Sequence, residues 1–478
     1  MVKGYEMVVG LEVHVELKTQ SKAFCPCSTA YGAAPNTQVC PICLGLPGAL
    51  PVVNEQAVAF CLKAGLALGC EINQVSRQDR KNYFYPDLPK AYQISQYDIP
   101  LCGRGQLILP SGKVIGITRI HLEEDAGKLI HEAQGTFIDF NRCGVPLIEI
   151  VTEPDIRSPQ EAADFLKALR TVLLYTGVSD CRMNEGSMRC DVNLSLRRPG
   201  EALGVRTEMK NLNSFQSVIK AIEFEAERQA QVLMAGGVIH QETRRFDQAT
   251  GQTHLMRRKE NADDYRYFPD PDLQPLVISH EMIAELQSQL PLMPAQRAAA
   301  YCQWGLTPYQ AEQLTGQYHV AEYFEQVCQG LEGQQIITAA NLMLSEIFRL
   351  MPWEDCPIPL APAHLGEICR MLASEEINST TGKRAVAALW EEDQDPRAWV
   401  EKQGLYQLND EEALAQAVKD ALFENPQMVA GYLKGKANLA QALMGAAMKK
   451  TGGKGNPRKL QALVLTALNH CKSSPSNN

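Results

Sequence analysis

The sequence predicts an α+β protein: a large mixed, mainly antiparallel sheet over residues 5 to about 292, followed by a helical remainder. Three observations carry that expectation. Segments of the first part alternate apolar and polar residues with period two, as half-buried strands do: Val8–Leu17, Met188–Leu196 and Val205–Lys210. Helices are interspersed among them. Ser158-Pro159-Gln160-Glu161 reads as a capping box opening a helix through about Tyr175, and a second helix runs from near Asn213 to the Gly236-Gly237 pair. From about Leu292 the texture turns Ala-, Leu- and Gln-rich, broken by Pro and Gly. Strands in runs with scattered helices are the mark of α+β architecture.

At 478 residues the chain exceeds one ordinary core. One boundary is expected at the Leu290-Pro291-Leu292-Met293-Pro294 stretch and a second near Gly404, before the polar helix start Asn409-Asp410-Glu411-Glu412. The expected domains are therefore residues 1–292, 293–404 and 405–478, with Ser473 to Asn478 disordered.

Apolar content of 45% and charged content of 21% are those of a soluble globular chain. No apolar run reaches the roughly 18–20 residues that a membrane span needs. The start Met1-Val2-Lys3-Gly4-Tyr5-Glu6 has the character of neither a signal nor a transit peptide, so a cytoplasmic location and reduced cysteines are expected. The net charge of −9 conceals an asymmetry. From Lys434 to Asn478 there are eight Lys or Arg and no Asp or Glu. Such a basic segment suits an anionic partner or, equally, a solvated helical surface with none.

Alternation places Glu12, His14 and Glu16 on the face opposite Leu11, Val13, Val15 and Leu17. More carboxylates come from strand-like contexts: Glu123, Glu124 and Asp125, then Glu149, Asp191 and Glu208. Mg²⁺ bridging phosphates commonly uses one or two carboxylates with waters, so rigid strands carrying them could hold such ions. Taken singly, each is also an ordinary solvent-facing strand residue. The chain has no Walker loop, no dinucleotide-binding glycine motif and no nucleophile elbow. An ATP site here would have to rely on metal ions and basic side chains.

Four of the fifteen cysteines fall in Cys25-Pro26-Cys27 and Cys40-Pro41-Ile42-Cys43, twelve residues apart. Four thiolates from two short turns fit a tetrahedral structural Zn²⁺ site. Four reduced, unliganded thiols are the alternative. The remaining cysteines, Cys61, Cys70 and Cys302 among them, read as small hydrophobes.

Long motifs narrow these readings. Gly10 to Thr19 (GLEVHVELKT), Asp79 to Gln96 (DRKNYFYPDLPKAYQISQ) and His121 to Lys128 (HLEEDAGK) resemble the B subunits of aspartyl/glutamyl-tRNA amidotransferases. So do Pro146 to Asp155 (PLIEIVTEPD), Lys210 to Phe215 (KNLNSF) and Asp263 to Pro269 (DDYRYFP). In the helical part, Gly452-Gly453-Lys454-Gly455-Asn456-Pro457 resembles that family's tail motif.

The resemblance implies a sheet-based "cradle" kinase domain, a helical domain and a small tRNA-binding tail. It implies an enzyme component that transfers the γ-phosphoryl of ATP to the side-chain carboxylate of misacylated Glu-tRNA(Gln) or Asp-tRNA(Asn). Ammonia would come through a channel from an amidase A subunit, with a small C subunit clasping the two. Mapped onto this sequence, it implies Mg²⁺ ligands at Glu12, His14, Glu124 and Glu149, with Glu123 beside them. His14 could equally contact a bound water or the tRNA terminus. Asp191, Glu208 and Lys210 are implied on the nucleotide side, and Lys81 and Tyr83 at the mouth of the ammonia tunnel. The cysteines would hold Zn²⁺ structurally, since some members of the family lack them. Lys434, Lys436, Lys449, Lys450, Lys454, Arg458 and Lys459 are the implied tRNA contacts. A competing reading, a zinc-bearing RNA scaffold without kinase activity, has no reason to keep Glu12, Glu124, Glu149 and Asp191 together. An archaeal-type relative would carry an inserted domain for which this chain has no room.

Overall fold

Val9, Leu11, Val13 and Val15 are at most 1% exposed, while Glu12, His14 and Glu16 between them remain partly exposed. The predicted alternation is thus present in the computed structural model, which describes residues 2–258, 265–354 and 356–473. This first strand, β1 (Glu6–Glu16), is followed by β2 (Val75–Ser76), β3 (Asp79–Asn82), β4 (Tyr92–Ser95) and β5 (Gly105–Ile108). Next come β6 (Val114–Glu124), β7 (Lys128–Glu132), β8 (Gly135–Asp139), β9 (Pro146–Thr152) and β10 (Met188–Arg197). The last are β11 (Thr207–Leu212), β12 (Glu242–Asp247), β13 (Gln252–Arg258), β14 (Phe268–Pro269) and β15 (Leu276–Val277).

Eight of them form one sheet in the order β13-β12-β11-β10-β1-β9-β6-β5. Every neighbouring pair is antiparallel except β11 with β12. That parallel pair is joined by a helical crossover, α3 (Phe215–Met234), as parallel pairing requires. The expected mixed, mainly antiparallel sheet is what forms. Three smaller pieces accompany it: a three-stranded sheet β14-β3-β4, the two-stranded pair β15-β2 and the hairpin β7–β8.

One face of the large sheet is apolar and covered by helices. Phe165, Leu166, Leu169 and Leu173 of α2 (Pro159–Thr176) share a core with Val218, Ala221 and Ile222 of α3 and with the apolar residues of β1. Each fully buried Val, Leu or Phe contributes about 1.5–3 kcal/mol. A one-residue slip of β1 would turn Val13 and Val15 outward and its carboxylates into this core, so the register is strongly specified.

The helix ends follow local chemistry, with one departure. Ser158 accepts from the Glu161 amide at 3.1 Å, and Gly177 closes α2 with φ +68°. The other half of the expected capping box does not form. Glu161 Oε2 accepts instead from the Arg157 amide at 2.8 Å and from Lys113. A second strong donor within reach has displaced the reciprocal bond.

The chain divides into two compact units, Met1–Met293 and Pro294–Asn478. The second is helical from Pro294–Gln303 through Pro457–Ser473. It contains two buried apolar clusters, one reaching from Tyr301 to Val400 and one from Leu414 to Leu468. Asp410 caps the helix that starts at Glu411, accepting from the Ala413 amide at 2.8 Å. Of Ser473 to Asn478, where disorder is expected, Ser473 ends the last helix, and residues 474–478 lie outside the described chain, as do Asp263 and Asp264. Among the described residues no helix is long and apolar enough to cross a membrane.

Candidate metal and nucleotide site

The face of the large sheet opposite the helices is polar, and strand register decides which polar groups meet. β9 lies between β6 and β1, so His121, Glu149 and His14 stand in one row. On the other side of β1, Glu12 pairs with Asp191. Two groups result, each with ligand atoms mutually within 4.8 Å: His14, Glu123 and Glu149, and Glu12, Asp191 and Glu208.

In the first group, His14 Nε2 lies 3.8 Å from Glu123 Oε1 and 3.6 Å from Glu149 Oε2. His121 closes it from behind, its Nε2 3.0 Å from Glu149 Oε2 and 3.6 Å from Glu123 Oε2. Burial alone would lower the His121 pKa, but Glu149 and Glu123 raise it to about 9. Burial likewise works to raise both glutamates, yet His121 outweighs it at Glu123, and His121, His14 and Lys81 hold Glu149 well below the usual carboxylate range. The pair is therefore kept ionised by cations that a metal ion could supplement. Lys81 stands beside Glu123 and Glu149, and despite burial their charges raise its pKa. Its ammonium lies 5.1 Å from the Tyr265 ring centroid and 5.9 Å from that of Tyr83. Tyr83 contacts Tyr265 edge-on, and burial raises its phenol.

In the second group, burial and the charges of Glu149, Glu208 and Asp191 push Glu12 up. Asn193 donates to its Oε1 at 2.9 Å. Lys210 bonds Asp191 and lies 3.0 Å from Glu208 Oε1, and Thr243 donates to Glu208 Oε2 at 2.9 Å. The β10–β11 ladder is interrupted beside Asp191, with Asn211 at φ +69°. Bulges of this kind recur beside functional sites because they re-aim side chains. Three carboxylates with one lysine leave net negative charge in a half-buried place, which a divalent cation relieves. Hard oxygen donors at this spacing suit Mg²⁺; the first group differs in offering one nitrogen donor, His14, beside its two carboxylates.

Glu124 joins neither group. Its Oε1 accepts from the Ile94 amide at 2.9 Å and pairs with Lys90, in a cavity of about 180 Å³ also lined by Cys25, Cys43, Tyr92 and Gly144. The reason is the pleat: Glu123 and Glu124 are consecutive on β6 and must point to opposite sides. The structure thus brings together Glu12, His14, Glu123, Glu149, Asp191, Glu208, Lys81 and Lys210, and sets Glu124 apart from the metal ligands expected around it. Sequence reasoning assigned no role to His121, Asn193, Tyr265 or Lys90. For His121 the signal was available, two residues before Glu123 and hence on its face.

The four cysteines also converge. Cys25, Cys27, Cys40 and Cys43 lie with sulfurs mutually within 4.8 Å, all as free thiols. Tetrahedral zinc bonded to sulfur at about 2.3 Å sets its ligand sulfurs about 3.8 Å apart, so the donor set and spacing fit. The Cys25 contact, against burial and helped by the Cys40 amide and Lys22, lowers the Cys43 thiol to about 4. Burial, Cys40 and Cys43 push Cys27 up to about 11.

In the last helices and the turns that join them Lys434, Lys436, Lys449, Lys454 and Arg458 are exposed. Lys450 pairs with Glu424 at 2.5 Å, and Lys459 donates to the Asn409 carbonyl at 3.1 Å. The Gly452–Pro457 motif itself is a hub. Asn456 is buried, donates to Glu375 at 2.6 Å and to Asn409 at 2.9 Å, and caps the amides of Arg458 and Lys459. A Cβ on Gly455 would meet Leu460 Cδ1 at 2.6 Å and Thr451 Oγ1 at 2.7 Å, so any larger residue there forces these side chains to shift.

Comparison with known proteins gives concordant matches. The family described as the GatB/GatE catalytic domain matches residues 7–284, and that described as the GatB domain matches residues 322–468. The B subunit of the aspartyl/glutamyl-tRNA(Asn/Gln) amidotransferase from Caldicellulosiruptor saccharolyticus is 49% identical over 477 residues, covering 97% of this chain and 99% of that protein. Its counterpart from Caldicellulosiruptor bescii is 49% identical with equal coverage. The counterpart from Caldanaerobacter subterraneus is 48% identical over 473 residues, covering 97% of this chain and 99% of the relative.

Proposed function

The chain belongs to the GatB/GatE catalytic-domain family, and from that premise we propose that it is the carboxylate-activating component of an aminoacyl-tRNA amidotransferase. Its substrates are Glu-tRNA(Gln), Asp-tRNA(Asn) or both, as the names of its relatives indicate. One observation carries the mechanistic reading: two cation-competent groups sit side by side on one rigid sheet face, each flanked by a lysine.

A carboxylate is a poor electrophile. Transfer of the γ-phosphoryl of ATP to it forms a new O–P bond, breaks the bridging P–O bond and releases ADP. Ammonia's lone pair then attacks the acyl carbon, phosphate leaves with the C–O bond electrons, and the nitrogen loses a proton to give the amide. Such transfers depend on positioning and charge neutralisation more than on covalent help from the protein. Mg²⁺ held by Glu12, Asp191 and Glu208, or by His14, Glu123 and Glu149, would neutralise phosphate charge. Lys210, kept protonated by Asp191 and Glu208 against burial, is placed to contact a phosphate oxygen. Lys81 and Tyr83 border the first group, where ammonia would enter from a partner amidase held by a small third protein. The tail of a three-part chain, residues 405–478, would contact tRNA phosphates through Lys434, Lys436, Lys449, Lys454 and Arg458. The four cysteines would hold structural Zn²⁺, and the complex would work in the cytoplasm.

The test is reconstitution with the amidase and the small third protein, glutamine, ATP and each misacylated tRNA. ATP-dependent formation of Gln-tRNA(Gln) or Asn-tRNA(Asn) is expected. Glutamine hydrolysis without amide formation on either tRNA would overturn the assignment.

A further inference from the structure

Lys22 is among the largest fully buried side chains of the protein, at 0% exposure. A buried ammonium without an anion is costly, and such groups are ordinarily paired. Among the described residues no carboxylate ion-pairs with Lys22. Its Nζ bonds the Gln38 carbonyl at 2.8 Å, the Phe140 carbonyl at 3.4 Å and Cys43 Sγ at 3.7 Å. The sulfur is the one acceptor of the three that can carry a full negative charge. The other two bonds tie the same ammonium to the turn preceding Cys40 and to the segment after β8. Cys43 is fixed from its other side as well, by the Cys40 amide 3.2 Å from its sulfur.

We propose that Lys22 is the counter-charge of the four-cysteine site, a positioning residue whose buried ammonium, set against Cys43 Sγ, offsets part of the negative charge that four sulfurs carry around a metal ion and thereby favours the metal-loaded state. This rests on the reading of Cys25, Cys27, Cys40 and Cys43 as a metal site and goes beyond it. Four thiolates around one divalent cation leave a net charge of about −2, from the ligand count alone. One buried ammonium against one of the sulfurs halves that excess. Partners behind the direct ligands typically change metal affinity by about 10–100-fold.

The experiment compares the full chain with Lys22→Met and Lys22→Arg. Zinc content is measured first, then zinc affinity by competition with a chromogenic chelator, then thermal midpoints of the metal-loaded and metal-free forms. Affinity in Lys22→Met is expected to fall at least tenfold, with partial rescue in Lys22→Arg, while the metal-free midpoint changes little. Full zinc content with unchanged affinity in Lys22→Met removes this inference alone. An equal drop of both midpoints, with affinity kept, makes the residue merely structural and also removes it. A wild-type chain that binds no zinc removes the metal reading and this inference together.

Should Lys22→Met fail to fold, Cys43→Asp and Cys43→Ser decide the matter. Aspartate offers Lys22 an anion but is a poor substitute in a thiolate site. Metal-free Cys43→Asp should therefore melt higher than metal-free Cys43→Ser. Equal midpoints would overturn the pairing.

Discussion

Glu123 and Glu124 are consecutive on β6 yet belong to different chemistry: Glu123 Oε2 lies 3.6 Å from His121 Nε2 beside Glu149, while Glu124 Oε1 accepts from the Ile94 amide and pairs with Lys90. Their separation predicts different phenotypes. Glu123→Gln removes a charge from the His14 group and should raise the Mg²⁺ concentration needed for ATP-dependent activation, by about tenfold or more if one ligand is lost. Glu124→Gln should leave that requirement unchanged, since its oxygens face a separate cavity. Magnesium titrations of ATP turnover in the reconstituted complex check this. Equal magnesium dependence in both variants would refute the division.

Glu16, on the same face of β1, supplies a pH test. Burial and the neighbouring Asp125 charge, with a hydrogen bond to Asp125, push its pKa from the ordinary 4.5 up to about 8. A group whose folded pKa is raised contributes stability that is full below its unfolded pKa and lost as pH rises through the folded one. The stability of the isolated chain should therefore decline between about pH 4.5 and 8 through this group. Asp125 is held ionised by Arg189 and Arg142 against burial, so it does not reverse the trend there. Glu16→Gln keeps a donor for Asp125 without a titrating proton and should flatten the decline. Urea midpoints across that range measure it, and parallel curves for the two proteins would count against the Glu16–Asp125 bond.

How much of this was legible in the sequence depends on the range of the interaction. The period-two pattern of β1 is local, so both its strand and its two faces could be read. Helix α2 could be placed, yet its capping box could not be completed, because Lys113 reaches Glu161 from another part of the chain. Alternation separates Glu123 from Glu124, but only the pairing of β6 with β9 shows that Glu123 is the one facing His14 and Glu149. The role of His121 hides in the same register. Lys22 gave no signal at all, since its burial arises from distant turns folding over it. The convergence of the four cysteines was readable because each pair lies within one short turn, which brings its two thiols together locally.

The basic tail yields a prediction in ionic strength. Lys434 and Lys436 are exposed, in the short connection between two helices of the tail. Phosphate contacts release counterions, and each one lost lowers the slope of log affinity against log salt by about 0.7–0.9. Lys434→Ala with Lys436→Ala should weaken tRNA binding at low salt and flatten that slope by roughly one to two units. Lys450→Ala, which removes a lysine already paired with Glu424, should do less. Filter-binding or anisotropy titrations over a salt series decide between them. An unchanged slope in the double variant would dissociate these lysines from tRNA.

Asn456 sets the stability prediction. Its amide nitrogen bonds Glu375 and Asn409, and its oxygen receives the amides of Arg458 and Lys459 at the start of the last helix. Asn456→Ala removes a helix cap worth about 0.5–2 kcal/mol. It also strips partners from half-buried groups, at about 1–3 kcal/mol for each one left unsatisfied. Loss of at least about 2 kcal/mol is expected from these two effects, concentrated in the cluster from Leu414 to Leu468. Hydrogen exchange locates it: amides of the helices Glu411–Glu424 and Pro457–Ser473 should exchange faster, while those of β1 and β9 keep their protection. Asn456→Asp retains the oxygen cap but sets a second negative charge against Glu375, so it should restore only part of the loss. Full restoration by aspartate would show that the Glu375 bond contributes nothing, and that the cap alone anchors the final helix.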